Sequence, residues 1–363
     1  MAVVRDDNGA MSTPEANTGT KPVAESHAFD VAALERHLAA HLPGFAGPLS
    51  VEQFKGGQSN PTYRLDTPGR SYVLRRKPFG KLLPSAHAVD REFRVISALH
   101  KVGFPVAKPY ALCSDDSVIG SMFYIMSMVD GRVLWNGSLP NLAREDRGAV
   151  YRSEVETLAQ LHSYDPEEIG LGDYGKPGNY FARQVDRWSK QYRASETSDI
   201  PEMNRLIEWL PQTVPAQDRV SIVHGDYRLD NMIFDAKEPK IIAILDWELS
   251  TLGDPLADFT YFLMNWVMPP EGRSGIAGLD LKALGIPSVE DAAALYCKLT
   301  KRSGLPEFNW YFAYNVFRIT AILQGIAGRI RDGTAASARA AESVARIPFL
   351  AKAALDFAKK AGA

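Results

Sequence analysis

The segment Ile222–Asp235, which reads IVHGDYRLDNMIFD, places charged and polar residues between two apolar runs. A histidine, two aspartates, an arginine and an asparagine occur within eight residues of this segment. A plain β-hairpin turn would need only Asn-Gly or Asp-Gly at such a position. The additional ionisable side chains therefore indicate a loop with a chemical function between two short strands.

The spacing of these side chains matches the needs of phosphoryl transfer. Asp226 lies two residues before Arg228 and five before Asn231, and Asp246 ends the next apolar run, in IIAILDWE. The reaction needs an acceptor for the hydroxyl proton, oxygen ligands for Mg²⁺ and a cation for the charge on the transferred group. We therefore predict Asp226 as the proton acceptor and Arg228 as the cation. Asn231 and Asp246 are the predicted metal ligands.

The pattern H-G-D-x-x-x-x-N, from His224 to Asn231, resembles the catalytic loop of kinases. With Gly225 in place of the usual arginine, and D-W-E at Asp246 in place of D-F-G, it is similar to the aminoglycoside phosphotransferase and choline kinase superfamily. That resemblance implies an α+β, protein kinase-like bilobal fold, with a small β-rich N-lobe containing one helix and a large, mostly helical C-lobe. It also implies an enzyme that uses ATP and Mg²⁺ to phosphorylate a hydroxyl of a small molecule. The alternative is a turn rich in Asp and Asn without a catalytic function.

The periodicity of apolar residues divides the chain into regions that fit these two lobes. Short β-like runs are expected near 50–55, 61–66, 71–76, 107–113 and 122–128, with one helix over 86–99 that Ser85 could cap. We predict a disordered tail over 1–27 and a nucleotide-binding N-lobe over 28–128. The C-lobe, over 129–363, is predicted to carry the catalytic loop and the site for the acceptor.

After Gly131 the sequence is mostly helical. Helical periodicity is expected near 144–163, 179–194, 202–210, 255–268, 289–301, 307–330 and 335–360. In GDPLADFTYF, Asp254 is expected to cap the helix that follows, and Asp258 to be buried and to hydrogen-bond the catalytic loop. His224 is expected to brace that loop, and Glu248 either faces the metal or is solvated.

A loop between the first two β-like runs is a candidate for phosphate binding. It reads Gly-Gly-Gln-Ser-Asn and contains Gly56, Gly57, Ser59 and Asn60. Backbone amides and the Ser59 hydroxyl of such a loop can reach phosphate oxygens. A Gly-Gly pair between two strands is usually a simple turn, so this prediction depends on the catalytic loop.

A kinase also needs a cation on its third strand. In YVLRRKP, the residue that resembles the lysine of kinases is Arg75, with Arg76 and Lys77 as alternatives. Strand alternation directs Arg76 to the opposite face of the sheet from Arg75. Glu92, in the following helix, is the expected carboxylate partner of Arg75, and a surface ion pair is the alternative.

The adenine ring is expected to contact the backbone at the end of the N-lobe. The hinge is placed near Met126–Val129, with the backbone groups of Met126 and Met128 as the contacts. The pattern assigns no side chain of this segment to nucleotide binding.

Composition excludes several classes of partner. The formal net charge is −2 and the pI is about 6.4, so no global field attracts the protein to nucleic acid or to an anionic membrane. Neither a signal-peptide core nor a run of about eighteen apolar residues is found, so no membrane span is predicted. Cys113 and Cys297 lie outside any metal-binding spacing, which fits a reduced compartment. We therefore predict a cytoplasmic protein.

The acceptor is less well defined by the sequence. YVLRRKPFGKLLPSAHAVDREFRVISAL and the catalytic segment look like the kinase-like domain associated with acyl-CoA dehydrogenases, which implies a hydroxyacyl-CoA as acceptor. Between Asn265 and Tyr314 there are five acidic and five basic residues, without the surplus of carboxylates that a polycationic aminoglycoside would favour. An antibiotic phosphotransferase stays an alternative. A nucleotide-binding pseudokinase that serves as a partner module of an acyl-CoA dehydrogenase is another, since Arg75 replaces the usual lysine.

Overall fold

The structure is a computed structural model that describes residues 19–55, 60–79, 88–270, 274–333 and 339–363. Its residues form two compact units. The first unit extends to Trp135 and includes Ile233–Ala236 and Ile242–Glu248. The second contains Asn136–Met232, Lys237–Ile241 and Leu249–Ala363. The first unit thus extends beyond the predicted boundary at 128, and it also contains two segments from the middle of the chain.

The described part of the first unit contains a six-stranded antiparallel sheet in the order β1-β2-β3-β4-β6-β5. Its strands are β1 (Thr20–Lys21), β2 (Ser50–Phe54), β3 (Thr62–Thr67), β4 (Arg70–Arg76), β5 (Pro109–Cys113) and β6 (Phe123–Ser127). The five strands that the sequence predicted are confirmed. Within the predicted tail, residues 1–18 lie outside the described range, whereas β1 pairs with β2.

Alternating apolar residues explain how this sheet is covered. In the β3–β4 register Tyr63 lies opposite Leu74 and Leu65 opposite Tyr72, and all four side chains are buried. They share a core with Leu34 and other residues of helix α1 (Val31–His41), whose first turn is capped by the Asp30 carboxylate. The predicted helix after β4 is observed as α2 (Val89–Lys101). Its predicted cap, Ser85, lies outside the described residues.

The second unit is mostly helical, as predicted. Its helices are α3 (Arg144–Ser163), α4 (Tyr180–Ser195), α5 (Pro201–Trp209), α6 (Leu256–Val267), α7 (Leu281–Leu284), α8 (Val289–Thr300), α9 (Asn309–Arg331), α10 (Arg339–Ala345) and α11 (Ile347–Lys360). The prediction of one helix over 335–360 is wrong, because α10 and α11 are separated at Arg346. Pro348, in the first turn of α11, has no amide hydrogen to continue a helix from α10.

Short strands surround the segment Ile222–Asp235. The two strands that flank this segment are present but belong to different sheets, and β8 (Met232–Phe234) pairs with β9 (Ile241–Ile244). β7 (Ser221–Val223) pairs instead with β10 (Thr251–Gly253), a strand that the sequence did not predict. β10 leads into Asp254, whose carboxylate accepts a hydrogen bond from the amide of Leu256 at 2.9 Å and so caps α6 as predicted.

Not one helix in the described part of the chain combines the length and the apolar composition needed to cross a lipid bilayer.

Candidate active site

The loop after β7 contains Asp226, and three side chains of the second unit donate hydrogen bonds to its carboxylate. Asp226 Oδ2 accepts hydrogen bonds from Asn231 Nδ2 at 2.9 Å and from Arg228 Nε at 3.2 Å. Its other oxygen, Oδ1, accepts a hydrogen bond from the Tyr261 hydroxyl at 2.9 Å. These four residues are called the Asp226 cluster. The structure therefore brings together the predicted residues of this loop and adds Tyr261.

Electrostatics favours the ionised form of Asp226. Burial by itself raises the pKa of this carboxyl, but the positive charge of Arg228 and the hydrogen bond from Tyr261 outweigh it. The net result is a pKa below the usual value. Arg228 also contacts Asp230, with 3.3 Å between Nη2 and Oδ2, so Asp230 pairs with the cation of the cluster.

The backbone of the loop is fixed by a buried carboxylate of α6. Asp258 accepts hydrogen bonds from the amides of His224 at 2.6 Å and Gly225 at 2.8 Å, and only 1% of its surface is exposed. The prediction that Asp258 supports the loop from below is confirmed. His224 Nδ1 lies 3.2 Å from the amide nitrogen of Asp226 and accepts its hydrogen bond, so the predicted bracing by His224 is confirmed too.

Gly225 is required by the shape of the loop. Its φ angle is +87°, a conformation that L-residues with a Cβ rarely adopt. A Cβ atom built there would also lie 2.8 Å from the carbonyl oxygen of Leu249, which is closer than real Cβ contacts. The Gly225 carbonyl accepts a hydrogen bond from the guanidinium of Arg318, which is buried in α9.

The first unit contains a second group of charged residues, centred on Arg75. Its Nε atom lies 2.8 Å from Glu92 Oε2, and its Nη2 atom lies 2.7 Å from Asp246 Oδ1 and 3.6 Å from Glu248 Oε2. These four residues are called the Arg75 cluster. The predicted pairing of Arg75 with Glu92 is therefore present, and Glu248 faces the same guanidinium rather than bulk solvent alone.

Glu92 is the most deeply buried member of this cluster. Its carboxylate also accepts hydrogen bonds from Asn60 Nδ2 at 2.7 Å and from the Tyr124 hydroxyl at 3.1 Å. Burial raises the pKa of Glu92, although the charge of Arg75 opposes this change. The side chain of Asn60, predicted as part of a phosphate loop, is thus a buried partner of Glu92.

Asp246 has an unusual backbone conformation for a residue with a side chain. Its φ angle is +65°, in the left-handed region. The next residue, Trp247, anchors the turn, because its indole donates a hydrogen bond to the carbonyl of Ile244 at 3.1 Å and its ring packs edge-on against Phe104. About a third of the Asp246 side chain, 36%, is exposed. The turn therefore holds an accessible carboxylate beside Arg75.

The structure describes some of the other residues predicted to bind the nucleotide. Arg76 is fully buried, and its guanidinium lies 3.5 Å from the ring centre of Phe79, away from the Arg75 cluster as strand alternation predicted. Met126 lies in β6, and Met128 follows that strand. The predicted phosphate-loop residues Gly56, Gly57 and Ser59 lie outside the described residues.

The predicted metal ligands, Asn231 and Asp246, belong to different units. Both offer oxygen atoms, the donor type that Mg²⁺ prefers, and Asp246 is partly exposed beside a cation. Within the described ranges, no three His, Cys, Asp or Glu side chains form a group that could hold a metal. The donor set fits Mg²⁺ in chemistry, and joint coordination by the two residues stays a prediction.

Two side chains that shape these clusters, Tyr261 and Arg318, were not predicted from the sequence, nor was the contact of Asn60 with Glu92. A signal existed for Tyr261, which follows Asp258 by three residues and therefore shares its face of α6. Arg318 was also conspicuous as a lone cation after the aromatic run 308–317, which forms part of the core. No comparable signal pointed to the contact between Asn60 and Glu92.

A curated protein and a solved structure are both similar to most of this chain. Acyl-CoA dehydrogenase family member 10 of Mus musculus is 44% identical over 346 residues, which cover 94% of this chain and 32% of that protein. The chain thus spans about a third of the length of this curated relative. A crystal structure from Ralstonia eutropha, provisionally described as an aminoglycoside phosphotransferase, is 52% identical and superposes with a TM-score of 0.84 over 92% of this chain and 99% of that one.

A more distant structure shows the fold alone. It is a thermostable mutant of the aminoglycoside phosphotransferase APH(4)-Ia in a ternary complex with AMP-PNP and hygromycin B. It is 16% identical, with a TM-score of 0.58 over 91% of this chain and all of that one, 100%. The predicted fold class is confirmed as aminoglycoside phosphotransferase-like, with an antiparallel N-terminal sheet and a helical C-terminal region.

A sequence profile described as the phosphotransferase enzyme family, APH, matches residues 50–294. The match includes the whole catalytic loop and every residue of the two charged clusters, whereas Arg318, which binds the Gly225 carbonyl, lies beyond it. The resemblance found in the sequence is therefore confirmed, and the chain belongs to the phosphotransferase enzyme family.

Proposed function

We propose that this protein transfers the γ-phosphoryl group of ATP to a hydroxyl of a small molecule, with a hydroxyacyl-CoA as the first candidate. The observation that carries the proposal is the Asp226 cluster, in which a carboxylate is kept ionised and is held by three donors. A fixed, ionised carboxylate is the group that a hydroxyl nucleophile needs in order to lose its proton.

Each cluster has a distinct part in this proposal. Asp226 orients the acceptor hydroxyl and receives its proton, and Arg228 balances negative charge on the transferred group. Arg75, held by Glu92 at 2.8 Å, is the cation for the phosphates of the nucleotide. Oxygen atoms of Asn231 and Asp246 would hold Mg²⁺, which supplies neutralisation of charge on the phosphate oxygens.

Two observations favour a hydroxyacyl-CoA as the acceptor. The mouse relative is named as an acyl-CoA dehydrogenase family member, and its similarity covers 94% of this chain. The region between Asn265 and Tyr314 has equal numbers of acidic and basic residues, so it lacks the negative charge that would attract a polycation. The proposal includes action in the cytoplasm, together with an acyl-CoA dehydrogenase.

A second candidate function is phosphorylation of an aminoglycoside. The observation that favours it is the structure from Ralstonia eutropha, which is 52% identical and carries that provisional description. The two candidates differ in the charge of the acceptor, because an aminoglycoside is a polycation whereas the phosphates of coenzyme A are anionic.

The test is phosphate transfer from Mg²⁺·ATP to a panel of hydroxyacyl-CoAs, choline and aminoglycosides, detected by mass spectrometry. We expect a phosphorylated hydroxyacyl-CoA with the wild type and none with Asp226→Asn. Preferential phosphorylation of an aminoglycoside would support the second candidate instead. Nucleotide binding without transfer to any acceptor would contradict both and support a partner module without catalytic activity.

A further inference from the structure

The hydrogen bonds of Asp226 leave one position for the acceptor. Oδ2 accepts from Asn231 Nδ2 and Arg228 Nε, whereas Oδ1 accepts only from the Tyr261 hydroxyl among the described residues. Each oxygen of a carboxylate can accept about two hydrogen bonds. Oδ2 is therefore saturated, and the open position is on Oδ1, beside the phenol oxygen of Tyr261.

Tyr261 is held in place by the helix that also holds the loop. It lies on α6 three residues after Asp258, the residue that binds the amides of His224 and Gly225. Its ring lies 5.5 Å from the guanidinium carbon of Arg318, which binds the Gly225 carbonyl. One helix therefore fixes both the backbone of the loop and the direction of its carboxylate.

We propose that Tyr261 is a positioning residue for phosphate transfer, which turns the Asp226 carboxylate so that Oδ1 faces the acceptor hydroxyl. The inference rests on the proposed function and assigns a part in it to a side chain outside the catalytic loop. Without the phenol donor, Oδ1 has no partner among the described side chains, and the carboxylate is held through Oδ2 alone, so its rotation about the Cβ–Cγ bond is less restricted. Oδ1 then points towards the acceptor hydroxyl for a smaller fraction of the time, and proton transfer becomes slower.

Replacing Tyr261 by Phe tests this inference because only the hydroxyl is removed. With Mg²⁺·ATP and 3-hydroxybutanoyl-CoA, we expect kcat to fall about ten- to a hundred-fold, the range for loss of a hydrogen bond to a charged group. The ratio of phosphate transferred to the acceptor over phosphate released to water should fall as well. The Kd for Mg²⁺·AMP-PNP and the melting temperature should stay close to those of the wild type.

Tyr192→Phe is the matched control, because the Tyr192 hydroxyl is buried and has no hydrogen-bond partner among the described residues. Its kcat and its transfer ratio should equal those of the wild type. A Tyr261→Phe enzyme with an unchanged kcat and transfer ratio would overturn the inference. So would an equal loss in both variants, because the effect would then come from packing.

A second measurement separates this inference from the proposed function. If the wild type transfers no phosphate to any acceptor, the proposed function fails, but crystal structures of the wild type and Tyr261→Phe still test the positioning. We expect the Asp226 carboxylate to turn in the variant, with loss of the Oδ1 direction seen here. An identical carboxylate orientation in both crystals would contradict the positioning role of Tyr261.

Discussion

The Arg75 cluster of the first unit and the Asp226 cluster of the second each contain one guanidinium but differ in the groups around it. In the first, one guanidinium contacts the carboxylates of Glu92, Asp246 and Glu248. In the second, one carboxylate is surrounded by a guanidinium, an amide and a phenol. One cluster therefore has acidic groups in excess, and the other has donors in excess.

This difference suggests that the two clusters have different functions. An excess of carboxylates beside a single cation suits a site that takes up a further cation together with phosphates. A single carboxylate held by several donors has a fixed direction and a lowered pKa, which suits orientation of a hydroxyl. Replacement of Asp226 should thus affect transfer, whereas replacement of Arg75 should affect nucleotide binding and stability.

The largest effect is expected for Asp226→Asn. The amide can still take part in hydrogen bonds with Tyr261 and Asn231, but it cannot take a proton from the acceptor. The rate of phosphate transfer should fall about 10²–10⁴-fold, the usual contribution of a positioned base. Asp186→Asn, which removes an exposed carboxylate paired with Lys190, is the control and should keep the wild-type rate. A wild-type rate for Asp226→Asn would mean that another group receives the proton.

Arg75→Ala should have the next largest effect. It should mainly lower the free energy of unfolding and the affinity for the nucleotide. Glu92 is 1% exposed and would lose the cation that balances its charge. Removing one partner of a buried ion pair costs about 3–5 kcal/mol of the free energy of unfolding, which denaturation in urea can measure. Arg64→Ala is the control, because its ion pair with Asp66 is partly exposed, far more than that of Arg75 with Glu92, and should contribute below about 1 kcal/mol. Equal losses in both variants would show that the Arg75 cluster is no more than a surface network.

A smaller, pH-dependent effect concerns Asp254, a carboxylate that lacks the donors of Asp226. Burial raises its pKa to about 6, although the amide of Leu256 favours the ionised form. Because the folded pKa is above the ordinary value of 3.8, the associated stability is present at low pH and is lost as the pH rises towards 6. Asp254→Asn, which keeps a cap but does not titrate, should gain about 1–3 kcal/mol relative to the wild type between pH 4 and pH 7.

Thermal unfolding of both proteins across that range is the measurement for Asp254. Asp280→Asn, at the exposed start of α7, controls for the exchange of Asp for Asn at a helix cap. A constant difference in stability between the wild type and Asp254→Asn at all pH values would contradict the raised pKa. The number of donors around each carboxylate would then not explain a difference in pKa between Asp254 and Asp226.

The sequence predicted the parts of the site that are local and missed those that packing brings together. His224, Asp226 and Asn231 lie within one loop, so their spacing alone suggested their roles. The contacts of Tyr261 with Asp226 and of Arg318 with Gly225 join residues 35 and 93 positions apart, and no short pattern encodes such distances. For a similar reason the sequence did not predict β10, because its partner strand β7 lies on the other side of the catalytic loop along the chain.

The central claim is that Arg75 acts on the nucleotide and that Asp226 acts on the hydroxyl of the acceptor. The most direct test is the Kd for Mg²⁺·AMP-PNP of Asp226→Asn and of Arg75→Ala, measured by isothermal titration calorimetry on folded protein. We predict a Kd for Asp226→Asn within about threefold of the wild type, and a Kd for Arg75→Ala at least about tenfold weaker, as expected for loss of a charged contact to phosphate. A weakened Kd in Asp226→Asn together with an unchanged Kd in Arg75→Ala would contradict the claim.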